Sequence, residues 1–497
     1  MRGNYEFNYV MKGRLNNDCT GSLRPFGKNF VGYRYSERYR KFEAFCKVRL
    51  LRCATAKYYQ KRFIKYQKIA NSERFPVERP TTVNYRFLAT AVIALSVSAS
   101  HCQMKNTSVS ISNTDSKQNE VADPREVHRR AIAVDMHADT TQRLLDERID
   151  LSQRLKDGHF DSVRAHEGGL DAQFFSIWVE PELFGGGGPS AMKRADDQIA
   201  AVRALVEHFP DTWQFALTAD DIRRIAGNGK MAALAGLEGG YAIDEKLENV
   251  ERYYKLGVRY MSPAWSVSTS WAGSSGDEIG ERRGLNEFGK QVVREMNRLG
   301  MMVDVSHVSD PTFWDIVNTS TKPVIATHSG CRAIANVPRN LTDEMIVALA
   351  KTGGVVNVIF YPEHLEPGWS EKKKKVDVEI SALVSRASEQ ERGDVAHKKM
   401  ARDAVRRDEY ATRLPPVTVS RLVDHIDHVV KLVGIDHVGI GSDFDGVQAT
   451  LSDLKDVSEL PNLTVELLRR GYSEADVDKI LGGNILRVME QVENNKR

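Results

Sequence analysis

The sequence predicts an α/β fold, a (β/α)8 barrel of the TIM type, over about residues 126–490 of the 497-residue chain. Two observations predict it: short apolar runs recur along this part of the chain, and patterns with helical spacing separate them. The runs are rich in Val, Ile, Met, Ala or Phe without clear alternation, which is typical of parallel strands covered on both faces. The predicted strands are 132–136, 172–179, 231–237, 258–262, 301–305, 323–327, 354–360 and 438–441.

The segments between the strands carry helix signals. Ser309 precedes one helical pattern as an N-cap, and Gly300 and Gly353 stand where two others should stop. Eight strand–helix units in about 310 residues indicate a barrel whose active site lies at the C-terminal ends of its strands. The clearest helical patterns are 244–256, 286–299, 310–319 and 342–351.

Residues 366–415 interrupt this rhythm after the seventh predicted strand. They contain four consecutive lysines, at positions 372–375, and many Glu, Arg and Asp residues. We interpret the segment as a charged helical insertion. A solvated surface helix is the favoured interpretation, and a lid over the active site is the alternative.

The N-terminal region differs in charge from the rest of the chain. Residues 1–86 carry 20 Lys+Arg against 6 Asp+Glu, a net charge of +14, so the near-neutral total of +3 leaves a net −11 for the remainder. This charge excludes a nucleic-acid-binding function for the acidic body. We interpret residues 1–86 as a basic leader that is disordered or precedes the true start, rather than as a nucleic-acid tail.

An apolar segment follows the leader. Residues 87–102 combine a preceding arginine, an apolar run too short to span a membrane and small residues, which resembles a signal peptide. Cys102 then stands where a bacterial lipoprotein cysteine would, although His101 before it fits such a site poorly. We expect a polar linker over 103–125 and an exported, periplasmic or cell-envelope lipoprotein whose translation starts near Val83; the alternative for the apolar run is a buried helix.

Titratable side chains stand at the ends of five of the predicted strands. Residues two apart in a strand point to the same side, so His137 and Asp139 face one point. The other strand ends supply one glutamate, two histidines and one aspartate to the same rim. The full set is His137, Asp139, Glu238, His307, His328 and Asp443.

Imidazole and carboxylate together suit Zn²⁺ and related divalent ions. Three histidines and three acids exceed the needs of one tetrahedral catalytic ion, but they suffice for two ions that share a carboxylate and activate a bridging water. We therefore predict a binuclear metal site. Most histidines away from the strand C-termini, including His159 and His364, are expected to be structural. His425 and His428, three apart on a predicted helix, are not expected to bind metal.

Longer stretches around these residues resemble the membrane dipeptidase (renal dipeptidase) family of zinc metallopeptidases, within the amidohydrolase-like barrels. The resemblance covers about residues 126–490. It rests on the stretches 135–139, 173–176, 237–240, 257–261, 284–309, 323–329, 338–340, 437–446 and 482–488.

The resemblance implies a role for each site residue. It places His137 and Asp139 on one zinc ion, His307 and His328 on a second, and Glu238 as the bridge between them. Asp443 matches the acid that contacts the bridging hydroxide and shuttles its proton to the leaving amine, which needs a carboxylate within hydrogen-bond reach.

The resemblance also implies substrate contacts and an assembly. Arg339 matches the arginine that receives a substrate carboxylate, which suits a guanidinium fork; a helix-capping surface residue is the alternative. Free dipeptides are the implied substrates, including those with a D-residue at the second position, and some β-lactam-like amides are implied too. The family further implies a homodimer.

One residue departs from the family pattern. Trp265 stands where the family often has a histidine that helps to bind substrate and stabilise the tetrahedral intermediate. An indole N–H donates a hydrogen bond but carries no positive charge. Three functions therefore stay open: a zinc dipeptidase, which we favour; a binuclear metallohydrolase for another amide or a lactone, which Trp265 favours; and a catalytically dead surface binding protein, which the intact set of six groups disfavours.

Overall fold

The computed structural model describes residues 123–393 and 395–494. The predictions made on the leader, on the apolar segment, on Cys102 and on most of the linker lie outside the described residues. Among the described helices, none combines the length and the apolar character needed to cross a membrane.

Eight parallel strands form the predicted barrel, in the spatial order β1-β2-β4-β5-β6-β7-β8-β9. A bridge between Ala138 and Phe444 joins the first strand to the segment that follows the last. The strands are β1 (Val134–Ala138), β2 (Ala172–Trp178), β3 (Trp213–Phe215), β4 (Met231–Glu238), β5 (Val258–Ser262), β6 (Met302–Asp304), β7 (Val324–Ser329), β8 (Val355–Val358) and β9 (Val438–Ile440). The predicted fold class is confirmed.

One strand was not predicted. β3 pairs in parallel with β4, outside the barrel order. Its three residues, Trp213–Phe215, are too few to produce a periodic pattern in the sequence. The third predicted strand is therefore β4, and the eighth is β9.

Helices fill the connections between strands. They are α1 (Pro124–Arg130), α2 (Thr140–Asp146), α3 (Ser162–Glu167), α4 (Pro181–Phe184), α5 (Gly188–His208), α6 (Ala219–Gly227), α7 (Leu247–Lys255), α8 (Glu287–Leu299), α9 (Asp310–Thr319), α10 (Asp343–Lys351), α11 (Pro362–Leu365), α12 (Trp369–Gln390), α13 (Val395–Arg413), α14 (Val419–Val433), α15 (Pro461–Arg469), α16 (Glu474–Asp478) and α17 (Asn484–Glu493). A π-helical turn, Lys479–Gly483, joins the last two.

The helix boundaries follow the capping signals. The Ser309 side chain accepts a hydrogen bond from the Thr312 amide at the start of α9, as the sequence predicts. Gly300 ends α8 with a left-handed φ of 85°, a conformation that costs glycine no steric penalty. The helices therefore begin and end where local chemistry dictates.

The core lies on both sides of the strands, because the residues of all the barrel strands are buried. One cluster joins Met136, Tyr260 and Met302 of the strands to Leu486 and Met489 of α17. The C-terminal helix thus packs on strand residues as part of the buried core, and the functional groups stand at the strand ends.

The charged insertion contains α12 and α13, which we call the helical hairpin. The Tyr410 hydroxyl of α13 donates a hydrogen bond to Asp377 of α12, and the ring of Tyr410 stands edge-on to Trp369, 6.3 Å between centroids. Outward residues such as Val378 are exposed. Other residues of the helical hairpin line a cavity at the barrel rim.

Candidate active site

All six predicted groups converge at one rim of the barrel. His137 lies in β1, Glu238 ends β4 and His328 lies in β7. Asp139 directly follows β1, and His307 and Asp443 each stand three residues beyond the end of a strand. The topology brings these residues together because the C-terminal ends of parallel barrel strands share one face.

Glu238 is the centre of the cluster. Its Oε2 lies 3.1 Å from His137 Nε2, and its Oε1 lies 2.8 Å from His307 Nε2 and 3.5 Å from His328 Nε2. The two last histidines bring their Nε2 atoms to 3.0 Å of each other. One carboxylate therefore faces three imidazoles, with one oxygen toward each side of the site.

A second group of ligand atoms stands beside the first. His137, Asp139 and Asp443 each offer a ligand atom within 4.8 Å of the others, as do His137, Glu238 and His328. Gly446 makes room for this group, because a β-carbon there would overlap Asp139 Oδ2 and Asp443 Oδ1. The absence of a side chain at Gly446 leaves both carboxylates free to approach one point.

Two of the site residues hold a strained backbone. His307 has a φ of 71° and Asp443 a φ of 63°, both in the left-handed region that non-glycine residues seldom adopt. Such conformations cost on the order of 1 kcal/mol or more and persist where the surroundings enforce them. Neighbouring backbone bonds provide that constraint, since the Asp443 amide donates to the His137 carbonyl at 3.0 Å.

Buried neighbours orient the imidazoles and Glu238. The Tyr260 hydroxyl lies 2.9 Å from His137 Nδ1, and the Thr327 hydroxyl lies 2.8 Å from His328 Nδ1. The Ser176 hydroxyl donates to Glu238 Oε2 at 3.0 Å. Contacts of this kind fix the ring orientation of metal-binding histidines.

The electrostatics of the site indicate excess negative charge. Burial, together with the charge of Glu238, raises the pKa of Asp139 to about 7. Burial also raises the pKa of Asp443 well above its usual range, with the charges of Asp139 and Glu238 adding to the effect. Burial opposes ionisation of Glu238 too, but the charge and hydrogen bond of His137 keep its pKa well below the usual range.

These observations fit a divalent metal centre. The site offers three imidazoles and three carboxylates in two overlapping groups, the donors that Zn²⁺ and related ions prefer. Asp139 Oδ1 is buried and accepts no hydrogen bond within the described part of the chain. Burial and the Arg339 charge lower the pKa of His307 to about 4, which favours the neutral imidazole that a metal requires.

A cavity of about 540 Å³ opens above this cluster. That volume lies within the range of small-molecule sites. Asp139, Glu238, His307 and Asp443 form part of its wall, together with Trp265. The Trp265 ring lies 6.1 Å from the His307 ring and 4.7 Å from that of Trp178. The indole that departs from the family pattern thus stands at the cavity, beside a metal-ligand candidate.

Arg339 contacts strand β7, which carries the metal-ligand candidate His328. Its Nη1 donates to Ser329 Oγ at 2.8 Å and its Nη2 to the His328 carbonyl at 2.9 Å. Its Nε is buried and has no partner among the described residues. Among those residues, the wall of the large cavity does not include Arg339, and a small neighbouring cavity does. Both Nη atoms of Arg339 therefore have hydrogen-bond partners, whereas its Nε has none among the described residues.

Several cavity residues escaped the sequence analysis. His159 and His364, expected to be structural, both line the cavity. His159 lies in the long connection after β1, and His364 follows β8 by six residues. Their position in the connections after strand ends was a usable signal, because these connections build the active-site face of a barrel. His425, by contrast, makes its hydrogen bonds to the backbone of neighbouring segments. Its Nδ1 accepts from the Cys331 amide, and its Nε2 lies beside the Leu365 carbonyl.

The helical hairpin also reaches the cavity. Lys373 of α12 and Lys399, Met400, Asp403, Ala404, Arg406 and Arg407 of α13 are part of its wall. The hairpin is therefore not a purely solvated surface element. Its position corresponds to the alternative interpretation, a cover over the active site.

Comparison with known proteins agrees with this geometry. Residues 121–497 match the family model described as membrane dipeptidase, peptidase family M19. Dipeptidase tcpJ of Claviceps purpurea is 31% identical over 355 residues, which cover 70% of this chain and 73% of that protein.

Solved structures give the same picture. The probable dipeptidase PvdM from Pseudomonas aeruginosa superposes with a TM-score of 0.62 at 28% identity, over 74% of this chain and 97% of that one. A metallo peptidase from Rhodobacter sphaeroides, liganded with a phosphinate mimic of the dipeptide L-Ala-D-Ala, superposes with a TM-score of 0.58 at 25% identity, over 73% of this chain and 99% of that one.

Proposed function

This chain belongs to the membrane dipeptidase family, and from that premise we propose that it hydrolyses free dipeptides, L-D dipeptides included, with two zinc ions held at the barrel rim. Membership makes the chain a hydrolase of the dipeptidase class. The observation that carries the proposal is the convergence of six imidazole and carboxylate groups, with Glu238 at their centre, beside a cavity of about 540 Å³.

The residues divide between two metal positions. His137 and Asp139 would hold one ion, His307 and His328 the other, and Glu238 would face both, since its two oxygens already face opposite sides of the cluster. When bound, two such ions would supply an activated water and polarise the scissile carbonyl. Zinc is proposed because the donor set suits it.

Asp443 would hold and deliver the proton. Its carboxylate stands beside Asp139 at the gap left by Gly446, and burial raises its pKa. A carboxyl group so placed can take a proton from water and give it to the leaving amine, provided both lie within hydrogen-bond reach. Its left-handed backbone holds the group at the rim rather than along the strand.

Arg339 would bind the free carboxylate that distinguishes a dipeptide from a longer peptide. The unpaired Nε and the permanent charge support this role. The two hydrogen bonds to Ser329 and to the His328 carbonyl would hold the guanidinium in place.

Trp265 favours a second candidate function, hydrolysis of another amide or a lactone. Its ring lines the cavity where a family histidine would supply a charged donor. Loss of an oxyanion donor commonly costs about 10²–10³ in rate. The preferred substrate would then be one whose hydrolysis needs no such donor.

One experiment separates these functions. Purified protein is assayed on L-L and L-D dipeptides, on a β-lactam and on a lactone, with added Zn²⁺ and with chelator, while bound metal is counted by mass spectrometry. Chelator-sensitive hydrolysis of dipeptides with about two metals per chain supports the proposal. Folded, metal-loaded protein that hydrolyses the lactone or another amide but no dipeptide supports the alternative, and inert protein supports neither.

The export and assembly proposals rest on sequence alone. We propose a cell-envelope lipoprotein anchored at Cys102 and a homodimer. Mass spectrometry of the mature N-terminus and light scattering test them. A soluble, unlipidated product or a monomer contradicts the respective proposal.

A further inference from the structure

Helix α13 contributes a side of the active-site cavity that the proposed chemistry does not use. Its residues Lys399, Asp403, Arg406 and Arg407 stand in the wall that also contains Glu238 and Asp443. The metal-ligand candidates come from strand ends, whereas these charges come from the insertion. A substrate bound at the strand ends therefore meets the hairpin with the part of the molecule that does not react.

The hairpin presents an excess of positive charge to the cavity. Lys399 Nζ lies 2.8 Å from Asp403, but Arg406 shares that carboxylate at 2.9 Å. One acid thus serves two cations. Arg407 lies 4.0 Å from its exposed neighbour Asp408, too far for a hydrogen bond. The wall formed by α13 consequently carries net positive charge after its own ion pairs are counted.

The barrel places a hydrogen-bond donor opposite this charge. Trp178 ends β2 and is the register partner of Glu238 in β4. It is 7% exposed and lines the cavity, and its Nε1–H donates to no described residue. Lys399 Nζ lies over the Trp178 ring, 5.7 Å from its centroid. A buried unpaired donor costs free energy, which a bound acceptor would recover.

The barrel side of the cavity also contains acids outside the metal cluster. Most of them pair with cations of their own: Asp146 with Arg194, Glu147 and Asp445 with Arg143, and Glu363 with Lys373. Glu180 follows Trp178 by two residues and lines the cavity. Burial raises the pKa of Glu180, and the charge of Lys399 lowers it, so the two groups interact. The charge of Lys399 acts on Asp139 as well. Within α13, three cations of the wall, Lys399, Arg406 and Arg407, accompany one acid, Asp403.

We propose that Trp178 and Lys399 form a subsite for the carboxylate side chain of an aspartyl or glutamyl residue in a dipeptide, in a cavity that Arg407 also lines. An ammonium and an indole N–H supply donors only, and a carboxylate is the acceptor that such a pair binds best. On substrate entry the carboxylate takes the place of Asp403 at Lys399, and Asp403 stays paired with Arg406. This inference rests on the proposed dipeptidase function.

The test compares substrates that differ only in charge. We measure kcat/KM for Ala-Glu against Ala-Gln and for Glu-Ala against Gln-Ala, with zinc-loaded full-length protein. A charged hydrogen bond contributes about 1.5–3 kcal/mol, so at least about tenfold preference for the glutamyl substrate is expected at one of the two positions. The preference should weaken as salt increases.

Variants connect the preference to the subsite. Lys399→Met should bring the Glu/Gln ratio close to one, and Lys399→Glu should invert it. Trp178→Phe keeps the ring and removes the donor, so it should lower the ratio by a smaller factor. Lys398→Met, a neighbour on the same helix outside the cavity wall, is the matched control and should leave the ratio unchanged.

Each outcome decides a separate point. A wild-type ratio within twofold at both positions, together with turnover of Ala-Ala, overturns the subsite and leaves the dipeptidase function intact. A ratio that Lys398→Met lowers as much as Lys399→Met overturns the assignment to Lys399. Absence of turnover on every dipeptide refutes the proposed function and the subsite together.

Discussion

At the scale of the residue, the site depends on contacts that orient its ligands. Tyr260 is fully buried, and its hydroxyl bonds His137 Nδ1. Gly236 lets that ring lie close to β4, because a β-carbon there would overlap it. The spacing of the ligands in the sequence reveals neither fact.

Removing the Tyr260 hydroxyl should loosen the metal. Tyr260→Phe keeps the ring packing and removes the hydrogen bond to His137, so metal affinity should fall about 10–100-fold. Competitive titration with a zinc-sensitive dye measures this. Tyr254→Phe, on the outer helix α7, is the control. Equal affinity in the Tyr260 variant and the wild type would show that the hydroxyl does not orient the ligand.

Filling the space at Gly446 should disable the site. In Gly446→Ala the new β-carbon overlaps Asp139 and Asp443, so we expect kcat/KM on a dipeptide to fall at least about 10²-fold, as a misplacement near 1 Å can cause. Gly227→Ala is the matched control, because a β-carbon there meets nothing within 4 Å. Full activity in Gly446→Ala would refute the assignment of these two carboxylates to the reaction.

At the scale of the element, loops and helices outside the barrel hold the functional face together. His425 of α14 bonds the Cys331 amide at 2.9 Å and lies 3.0 Å from the Leu365 carbonyl. It thereby joins the loop after β7 to the helix before the hairpin. The sequence predicts no metal-binding role for His425, but its local pattern gives no sign of these long-range partners.

The burial of His425 predicts acid sensitivity. Burial lowers its pKa from 6.5 to about 4. The unfolded chain therefore binds a proton first as the pH falls, and stability present above pH 6.5 is lost progressively toward pH 4. Between pH 7.5 and 5 this one residue should account for a loss of about 2 kcal/mol in the free energy of unfolding.

Urea unfolding at the two pH values measures the effect. His425→Gln should be less stable at pH 7.5 and should lose about 2 kcal/mol less than the wild type on acidification. The exposed His208→Gln is the control and should follow the wild type. An identical pH dependence in His425→Gln and the wild type would contradict the prediction.

At the scale of the whole molecule, metal binding and folding are coupled. The carboxylates and imidazoles come from the ends of five separate strands, so only the folded barrel offers the complete site. A ligand that binds only the folded state stabilises it, by about 2.7 kcal/mol at one hundred times its Kd.

Zinc should therefore raise the melting temperature by a few degrees, and chelator should reverse the change. Calorimetry of the wild type and of Glu238→Gln tests this, because the variant removes the charge that faces all three imidazoles. The variant should show a smaller shift and a kcat/KM lower by at least about 10²-fold. Equal shifts in both proteins would place the stabilising metal elsewhere.

Local sequence patterns suffice to predict the barrel and the candidate residues at its rim. Parallel strands buried on both faces must be continuous apolar runs, and their C-terminal ends must share one face, so six ligand candidates could be read from local pattern alone. Strand boundaries differ from the predicted ones by at most two residues, and β5 spans the predicted range 258–262 unchanged. The short strand β3 was missed for lack of a pattern.

Completion of the cavity depends on long-range packing, which local patterns do not predict. His159, His364 and the cations of α13 reach it from connections whose course no local periodicity encodes. The charged sequence pattern of the hairpin is typical of a solvated helix. Residues of α13 nevertheless line the cavity that also contains Glu238 and Asp443. Local chemistry sets where an element begins and ends, whereas long-range packing sets what it faces.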